Sequence, residues 1–463
     1  MLLGLTLANG LTLHGLVTAL AVLIYVIAAH VLHQRRNPTS AIAWVLFIML
    51  IPYLALPAFL AFGFRKLARP RSTPLLPAPA ADAPWAIQTI HALGQPAPAA
   101  YHALQLHADG SAALHALRET MDGATRSIDL CIFILGRDAL GSEVIDRLCA
   151  KARAGLRVRL LLDGLGSLMA GRPKLERLVE AGASVTLFVP PLHSPLKGRT
   201  NLRDHRKMLI ADAGLPMQRL WCGGRNLAAE YFEGSPGHAP WHDLSFDVQG
   251  ALVLQASELF AHDWAFAKQR KRRPEPLPPL DEAPASGGAQ LVASGPDQVD
   301  DTVYALLITA AYRARRRIAL VTPYFVPDTA LLLALGLAAR RGVAVDLLIP
   351  ARSNHRLSDV ARGRALRALA QAGGRIWLAP QMLHAKLAVV DDVLALAGSA
   401  NLDSRSLFLN YELMIAFHET ADVQRFAAWA EHERLTAKPY RARAPGLLRD
   451  LIEGMVLWVG FQL

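Results

Sequence analysis

HRKMLIAD, residues 205–212, and HAKLAVVD, residues 384–391, share one pattern: a histidine, a lysine two residues on, and an aspartate five beyond the lysine. Each octet leads into a small-residue run that closes on asparagine, GGRN at 223–226 and GSAN at 398–401. The stretches around them repeat as well. ALRETMDGATRSIDLCIFIL leads through EVIDRLCAKARAG to VRLLLDG and LVEAGASVTLF, and ALLITAAYRARRRIALVTPYF leads through ALLLALGLAARRG to VAVDLLIP and ALAQAGGRIWLAP. Helix, strand, helix, strand recur in one order, and the short strands follow an Ala-Gly or Arg-Gly helix stop. Buried strands alternating with amphipathic helices predict an α/β fold of two repeated halves, each a mixed β-sheet flanked by helices.

The rest of the chain surrounds this duplication. Of 463 residues, 52% are hydrophobic and 19% charged, too apolar for an ordinary soluble protein and too polar for a polytopic transporter. The apolar excess sits at the front, where residues 11–32 and 41–64 contain no Asp, Glu, Lys or Arg. Each is long enough to cross a hydrocarbon core of about 30 Å at about 1.5 Å per residue, which predicts a two-helix transmembrane hairpin. No Lys or Arg precedes the first segment and it is too long for the apolar region of a cleaved signal peptide. Trp44 and Tyr53 are candidate interfacial anchors, and Pro52 and Pro57 are expected to bend the second helix. Arg35 and Arg36 lie in the connection, against Arg65, Lys66, Arg69 and Arg71 at the exit. That bias predicts a multi-pass protein of the inner (plasma) membrane with its body facing the cytoplasm.

Pro/Ala-rich breaks divide what remains. The expected organisation is a transmembrane hairpin over 1–64, a linker over 65–100, a first half over 101–272, a linker over 273–288 and a second half over 289–463. The tail LLRDLIEGMVLWVGFQL is apolar but broken by charges, so it is expected to dock on the sheet or lie in the membrane interface rather than form a third span. A net charge of +11 favours an anionic partner: nucleic acid, phosphorylated metabolites or acidic lipid headgroups. Cys131, Cys149 and Cys222 have no CxxC or metal-ligand spacing and imply no disulfide framework.

The octets carry the chemistry. In a strand His205 and Lys207 point to one face, as do His384 and Lys386, so each half delivers one imidazole and one ammonium to a common surface. A neutral imidazole attacks phosphorus while a protonated one supplies the departing alkoxide with its proton. The two lysines, with Asn226, Asn401 and Ser399 of the small-residue runs, are expected to hold the phosphoryl oxygens. Asp212 and Asp391 stand at strand ends, where structural or electrostatic support is expected of them before direct proton transfer. No metal or other cofactor is expected: there is no HExxH, no carboxylate-rich cation site and no P-loop. His193, His238, His242 and His355 read as polar loop residues, and the basic runs at 268–273 and 313–317 as solvated helix ends or lipid contacts.

The paired motifs resemble those of the phospholipase D superfamily, and TPYFVPD at 322–328, AGSANLDSRSLFLNYE at 397–412 and PWHDLSFDVQG at 240–250 extend the likeness. With the N-terminal hairpin, nearly the whole chain is similar to the bacterial cardiolipin synthase branch. The resemblance implies transfer of a phosphatidyl group from one phosphatidylglycerol to another through a phosphohistidine, with His205 as nucleophile and His384 as general acid. It also implies that Asp243 and Glu412 orient the two rings, and that the partners are phosphatidylglycerol, other anionic phospholipids and the membrane, with no nucleic acid. Three features depart from the branch: AAEY at 228–231 replaces the usual Gly-Asp-Glu-Tyr, His242 replaces an arginine, and 21 residues separate His205 from Asn226 against 17 between His384 and Asn401. These departures are expected to touch headgroup recognition. A membrane-bound phospholipase D, or a phosphodiesterase or nuclease with water as acceptor, uses the same paired motif, whereas a non-enzymatic scaffold has no use for two matched octets.

Overall fold

A computed structural model describes residues 2–31, 38–63, 79–80, 82–107, 109–171, 173–190, 201–235, 237–268 and 288–459. The chain falls into two units, one comprising 1–72 with 191–202 and 296–299, the other holding the remainder. In the first unit α1 spans Leu2–Val31, α2 Pro38–Leu50 and α3 Pro52–Phe62. The second apolar segment is therefore not one helix. Pro52 has no amide hydrogen to continue α2, so Ile51 leaves helical geometry and the chain restarts as α3 with proline in its first turn. Ala21, Tyr25, Ile48, Ala55 and Phe59 bury one another within this unit. Among the described residues no helix is both long and apolar enough to cross a membrane, so the expected spans rest on the sequence.

The second unit opens with α4, Trp85–Ala92, inside the stretch expected to be linker. Ala86 and Ile90 are buried in a core with Val303, Leu306 and Ala310, so this segment belongs to the packed body. Residues 64–78 and 269–287, with the start of the first expected linker, nearly all of the second and the 268–273 basic run beyond Lys268, lie outside the described residues, as does His193. The first half runs β1 His102–His107, α5 Gly110–Gly123, β2 Ser127–Ile132, α6 Ala139–Arg153, β3 Arg157–Leu162, α7 Gly164–Met169, α8 Glu176–Glu180, β4 Ser184–Leu187, β5 Arg203–Asp204, β6 Met208–Ala211, β7 Arg219–Gly223, β8 Ser245–Gln249 and α9 Leu252–Ala267. The second runs β9 Ala289–Ser294, α10 Thr302–Arg313, β10 Arg317–Val321, β11 Phe325–Val326, α11 Thr329–Arg340, β12 Ala344–Pro350, α12 Arg356–Gln371, β13 Arg375–Ala379, β14 Leu387–Val390, β15 Leu394–Gly398, β16 Leu402–Asp403, α13 Ser404–Phe408, β17 Asn410–Phe417, α14 Thr420–Leu435, β18 Lys438–Pro439 and α15 Leu447–Val459.

The first sheet has the order β1-β8-β7-β6-β2-β3-β4, and the second has β9-β17-β15-β14-β10-β12-β13, extended by β18. Strand for strand the orders match, which is the duplication read from the octets. Both sheets are mixed: β2 and β10 pair parallel with β3 and β12, and antiparallel with β6 and β14. The expected α/β fold with two such halves is therefore the observed one. Its helices begin where aspartates satisfy free amides, Asp109 accepting from Ala112 N, Asp138 from Gly141 N and Asp328 from Leu331 N. Helix α5 then buries Ala113, Leu114, Leu117 and Met121 along one stripe.

The octet strands are central in their sheets, and all four residues of β6 and of β14 are buried. The octet histidines and lysines do not lie within them. The strands begin at Met208 and Leu387, and His-x-Lys occupies the segment leading in. Each strand ends on an aspartate in the left-handed region, Asp212 at φ 53° and Asp391 at φ 50°, a conformation a short polar side chain adopts when it bonds locally. The first half's four extra residues lie beyond this point, in the turn joining β6 to β7. They sit at the strand end opposite His205.

Candidate active site

His-x-Lys enters the site under the control of the other half. Strand β5 pairs parallel with β17, Arg203 opposite Asn410 and Asp204 opposite Tyr411, and the next amide, His205 N, donates to Tyr411 O at 2.9 Å. In the other direction His242 N donates to Met382 O at 2.9 Å, and His384 N donates to His242 O at 2.6 Å. Each histidine is thus threaded along a strand-like segment of the opposite half. Two residues into β17 that segment supplies Glu412; next to His242 it supplies Asp243.

The carboxylates consequently serve the histidines crosswise. His205 Nδ1 lies 3.0 Å from each oxygen of Glu412, and His384 Nδ1 lies 2.7 Å from Asp243 Oδ2. Both carboxylates are buried. In each ring the bonded Nδ1 carries the hydrogen and Nε2 keeps its lone pair. Glu412 is itself fixed from three sides, by Ser399 Oγ at 2.5 Å, Ser406 Oγ at 2.5 Å and Asn410 Nδ2 at 3.2 Å. Ser399 accepts from Leu413 N at 2.9 Å as well. Its hydroxyl is therefore committed to the carboxylate; it holds Glu412 rather than reaching toward substrate. Asp243 accepts from Leu244 N at 2.7 Å, and Gly224 makes its position possible, because a Cβ there would stand 2.2 Å from Asp243 Oδ1.

Lys207 and Lys386 are both buried. Lys207 Nζ donates to His205 O at 2.6 Å and stands 5.5 Å over the Phe133 ring, which also meets the His205 ring edge-on. Lys386 Nζ donates to His384 O and lies 2.8 Å and 3.0 Å from that ring's two nitrogens. Burial, with the neighbouring cation adding to it, lowers Lys386 to about 7, and burial lowers Lys207 to about 8 despite the nearby carboxylates. His205 is brought down to about 4 by burial against the pull of Glu412, and His384 to about 3 by burial and Lys386 against Asp243. Each lysine's charge also reaches the opposite histidine, so the four groups form one site. Burial works to raise Glu412 and Asp243, but the histidines and lysines around them keep both below the usual carboxylate range and therefore ionised.

The two asparagines are buried beside this centre. Asn226 accepts from Ile134 N at 3.2 Å and donates to Tyr231 OH at 2.8 Å, and the Tyr231 ring stands 5.2 Å from that of His384. Asn401 donates its backbone amide to Ser406 Oγ at 2.8 Å, while its side-chain carbonyl, sealed from solvent, has no hydrogen-bond partner among the described residues. Asp212 and Asp391 face the other way. Asp212 accepts from the amides of Thr125, Arg126 and Ser127 and from the Thr125 hydroxyl at 2.7–2.9 Å. Asp391 accepts from the amides of Arg315, Arg316 and Arg317 at 2.8–2.9 Å. Both carboxylates gather the chain that begins β2 or β10.

Several site residues gave no signal of their own in the sequence. Arg206, between the octet's histidine and lysine, is fully buried, pairs with Asp263 and donates to Glu412 O at 3.1 Å. Its counterpart in the second octet is Ala385, so the two octets differ at the position that ties one half to the other. Ser406 and Asn410 lie inside AGSANLDSRSLFLNYE, and only their separation of two to six residues from Glu412 marked them. His242 bonds Glu433 Oε2 at 2.8 Å, which raises its pKa.

The pattern described as cardiolipin synthase, PLD-like domain, matches residues 117–264 and 307–434, and the one described as phospholipase D-nuclease N-terminal matches residues 18–63. Cardiolipin synthase A of Pseudomonas putida strain W619 is 32% identical over 429 residues, covering 87% of this chain and 88% of that protein. Cardiolipin synthase A of Pseudomonas aeruginosa strain LESB58 is 32% identical over 427 residues, covering 86% and 85%. Among solved structures, phosphatidylserine synthase of Haemophilus influenzae Rd KW20 superposes with a TM-score of 0.62 over 82% of this chain and 100% of that one, at 13% identity, and so shares the fold.

Proposed function

The chain belongs to the cardiolipin synthase family of phospholipase D-like proteins, and from that premise we propose that it transfers the phosphatidyl group of one phosphatidylglycerol to a second, giving cardiolipin and glycerol. The observation that carries this reading is the crossed pairing of His205 with Glu412 and His384 with Asp243. Two imidazoles, each held by a carboxylate of the opposite half, present two Nε2 atoms to one phosphorus. His205 Nε2 attacks, the phosphorus–oxygen bond to glycerol breaks, and His384 Nε2–H protonates the leaving oxygen. The hydroxyl of the second phosphatidylglycerol then gives its proton to the neutral His384 and attacks phosphorus. The phosphorus–nitrogen bond breaks and His205 is regenerated.

Burial keeps both rings neutral in the free protein. An arriving phosphodiester anion favours the imidazolium and restores charge to the lysines, so substrate itself arms the acid. His205 suits the nucleophile's part: its side chain is 12% exposed against 5% for His384. Lys207, Lys386, Asn226 and Asn401 then meet the phosphoryl oxygens as charge builds on them. Asp212 and Asp391 support the strands that deliver the octets. The test is to incubate the purified full chain with phosphatidylglycerol and identify the products by mass spectrometry. Cardiolipin with equimolar glycerol supports the reading; phosphatidic acid alone would make it a hydrolase.

Residues 1–64 are read as a transmembrane hairpin, with halves over 101–272 and 289–463, and the catalytic body on the cytoplasmic face of the inner membrane. Supporting this are the two uncharged segments, outward-facing leucines such as Leu16 at 70% and Leu20 at 56% exposed, and the excess of Arg65, Lys66, Arg69 and Arg71 over Arg35 and Arg36. Arg35→Cys labelled from outside intact cells by an impermeant thiol reagent tests the orientation; labelling only after lysis would reverse it.

A further inference from the structure

Helix α15 is amphipathic with its polarity reversed. Leu447 is 80% exposed, Leu448 72%, Leu451 55%, Ile452 39% and Met455 61%. At spacings of one, four, five and eight residues they form one continuous stripe. The opposite stripe, through Asp450 and Glu453, faces α12. Arg364 donates to Asp450 O at 2.8 Å and pairs with its carboxylate at 3.0 Å. Glu453, 1% exposed, takes Arg367 at 2.5 Å and Arg449 at 3.0 Å. Gly363 admits that carboxylate, since a Cβ there would stand 2.5 Å from Glu453 Oε1. An ordinary surface helix turns its leucines to the core and its charges to water. Here the charges do the docking and the leucines are left outside.

We infer that α15 is a membrane-surface helix, seating its leucine stripe in the acyl boundary of an anionic bilayer while Arg441, Arg443 and Arg449 meet the phosphate headgroups. Charge carries the choice of occupant. The arginines are exposed at one end of the stripe and along its edge, whereas Glu453 is buried and both acidic residues of the helix are paired with arginines. A twofold contact with a second copy would set like-charged arginines together; an anionic surface complements them. Leu357 of α12, 52% exposed, lies two turns before Arg364 on the same face. The loop ahead of it holds Asn354, bonded at 2.6 Å to Tyr324, which feels the charges of Asp403 and Asp243. Helix α15 would then hold the mouth of the site against the leaflet that supplies lipid.

The test reads position, not turnover, so its outcome is independent of whether cardiolipin is the product. The three native cysteines are buried, so Leu451→Cys or Met455→Cys in the full chain takes a polarity-sensitive fluorophore selectively, with Val179→Cys, exposed on α8, as control. In phosphatidylglycerol–phosphatidylcholine vesicles, labels at 451 and 455 should shift to the blue and lose about half their emission to lipids brominated on the acyl chains, and the label at 179 should do neither. Arg441→Gln with Arg443→Gln should reduce that quenching. Water-like, unquenched emission at both positions would overturn the inference. So would a blue shift that grows with protein density but is not quenched by brominated lipid, which would assign the stripe to a second copy.

Discussion

Replacing Glu412 with glutamine keeps the side chain's shape and removes only its charge and half its accepting capacity. The wild-type carboxylate receives His205 Nδ1 on both oxygens, Ser399 on one, and Ser406 and Asn410 on the other. A glutamine amide accepts at one end only. Wherever its NH2 lies, a donor faces a donor; the least costly relief is for His205 to shift its hydrogen to Nε2 and accept at Nδ1. That tautomer has no lone pair facing phosphorus. Such a tautomer error in a nucleophilic triad costs about 10⁴ in kcat, so a loss of about 10³–10⁴ is expected, or roughly 4–5.5 kcal/mol of barrier. The assay is the initial rate of cardiolipin formation in mixed micelles by mass spectrometry, with circular dichroism confirming the fold. A Glu412→Gln enzyme within tenfold of wild type would refute the argument that this carboxylate sets the reactive tautomer.

The same geometry makes further expectations. Gly224→Ala drives a methyl into Asp243 Oδ1, 2.2 Å from the ideal Cβ; displacing that carboxylate by about 1 Å should cost on the order of 10² in kcat with little change in melting temperature. Asp212→Ala leaves the amides of Thr125, Arg126 and Ser127 without their acceptor; it should destabilise by about 2–4 kcal/mol in a denaturant titration, while the folded fraction keeps its turnover, and a folded but inactive variant would return Asp212 to the chemistry. A lysine is cationic below its pKa, so with Lys386 near 7 and Lys207 near 8 in the free enzyme, kcat/KM should fall as pH rises through 7–8. In kcat, which reports the complex with anionic substrate, the fall should move to higher pH; a flat kcat/KM to pH 9 would contradict it.

What the sequence disclosed and what it withheld divide along physical lines. The octets and the alternation of helix and strand are local patterns, and the matched sheets follow from them because a buried strand and an amphipathic helix each dictate their own packing. Which carboxylate serves which histidine is not local: Glu412 lies 207 residues from His205 and Asp243 lies 141 from His384, and only the bridging of the halves through Tyr411 and His242 decides the crossing. Ser399 sat in the right motif, yet its bond to Glu412 is visible only in three dimensions. A supporting part for Asp212 was legible from its strand-end position; which amides it gathers was not, because those of Thr125, Arg126 and Ser127 lie 85–87 residues earlier. Trp85–Ala92 lies close after a proline-rich run and was masked by it, although Ala86 and Ile90 have helical spacing. The tail's stripe pattern was legible, but not that its charged side would be the one to dock.

The central claim is that the two halves build one site with distinct roles for its histidines, and trapping the covalent intermediate tests it most directly. A labelled phosphatidyl ester whose leaving group needs no proton is mixed with the wild type, His205→Ala and His384→Ala, quenched, and the peptides are mapped. His384→Ala should accumulate an acid-labile phosphohistidine at residue 205, and His205→Ala should carry no label. Label at residue 384 in the His205→Ala protein would reverse the roles, and absence of label from every variant would replace the covalent route with direct displacement.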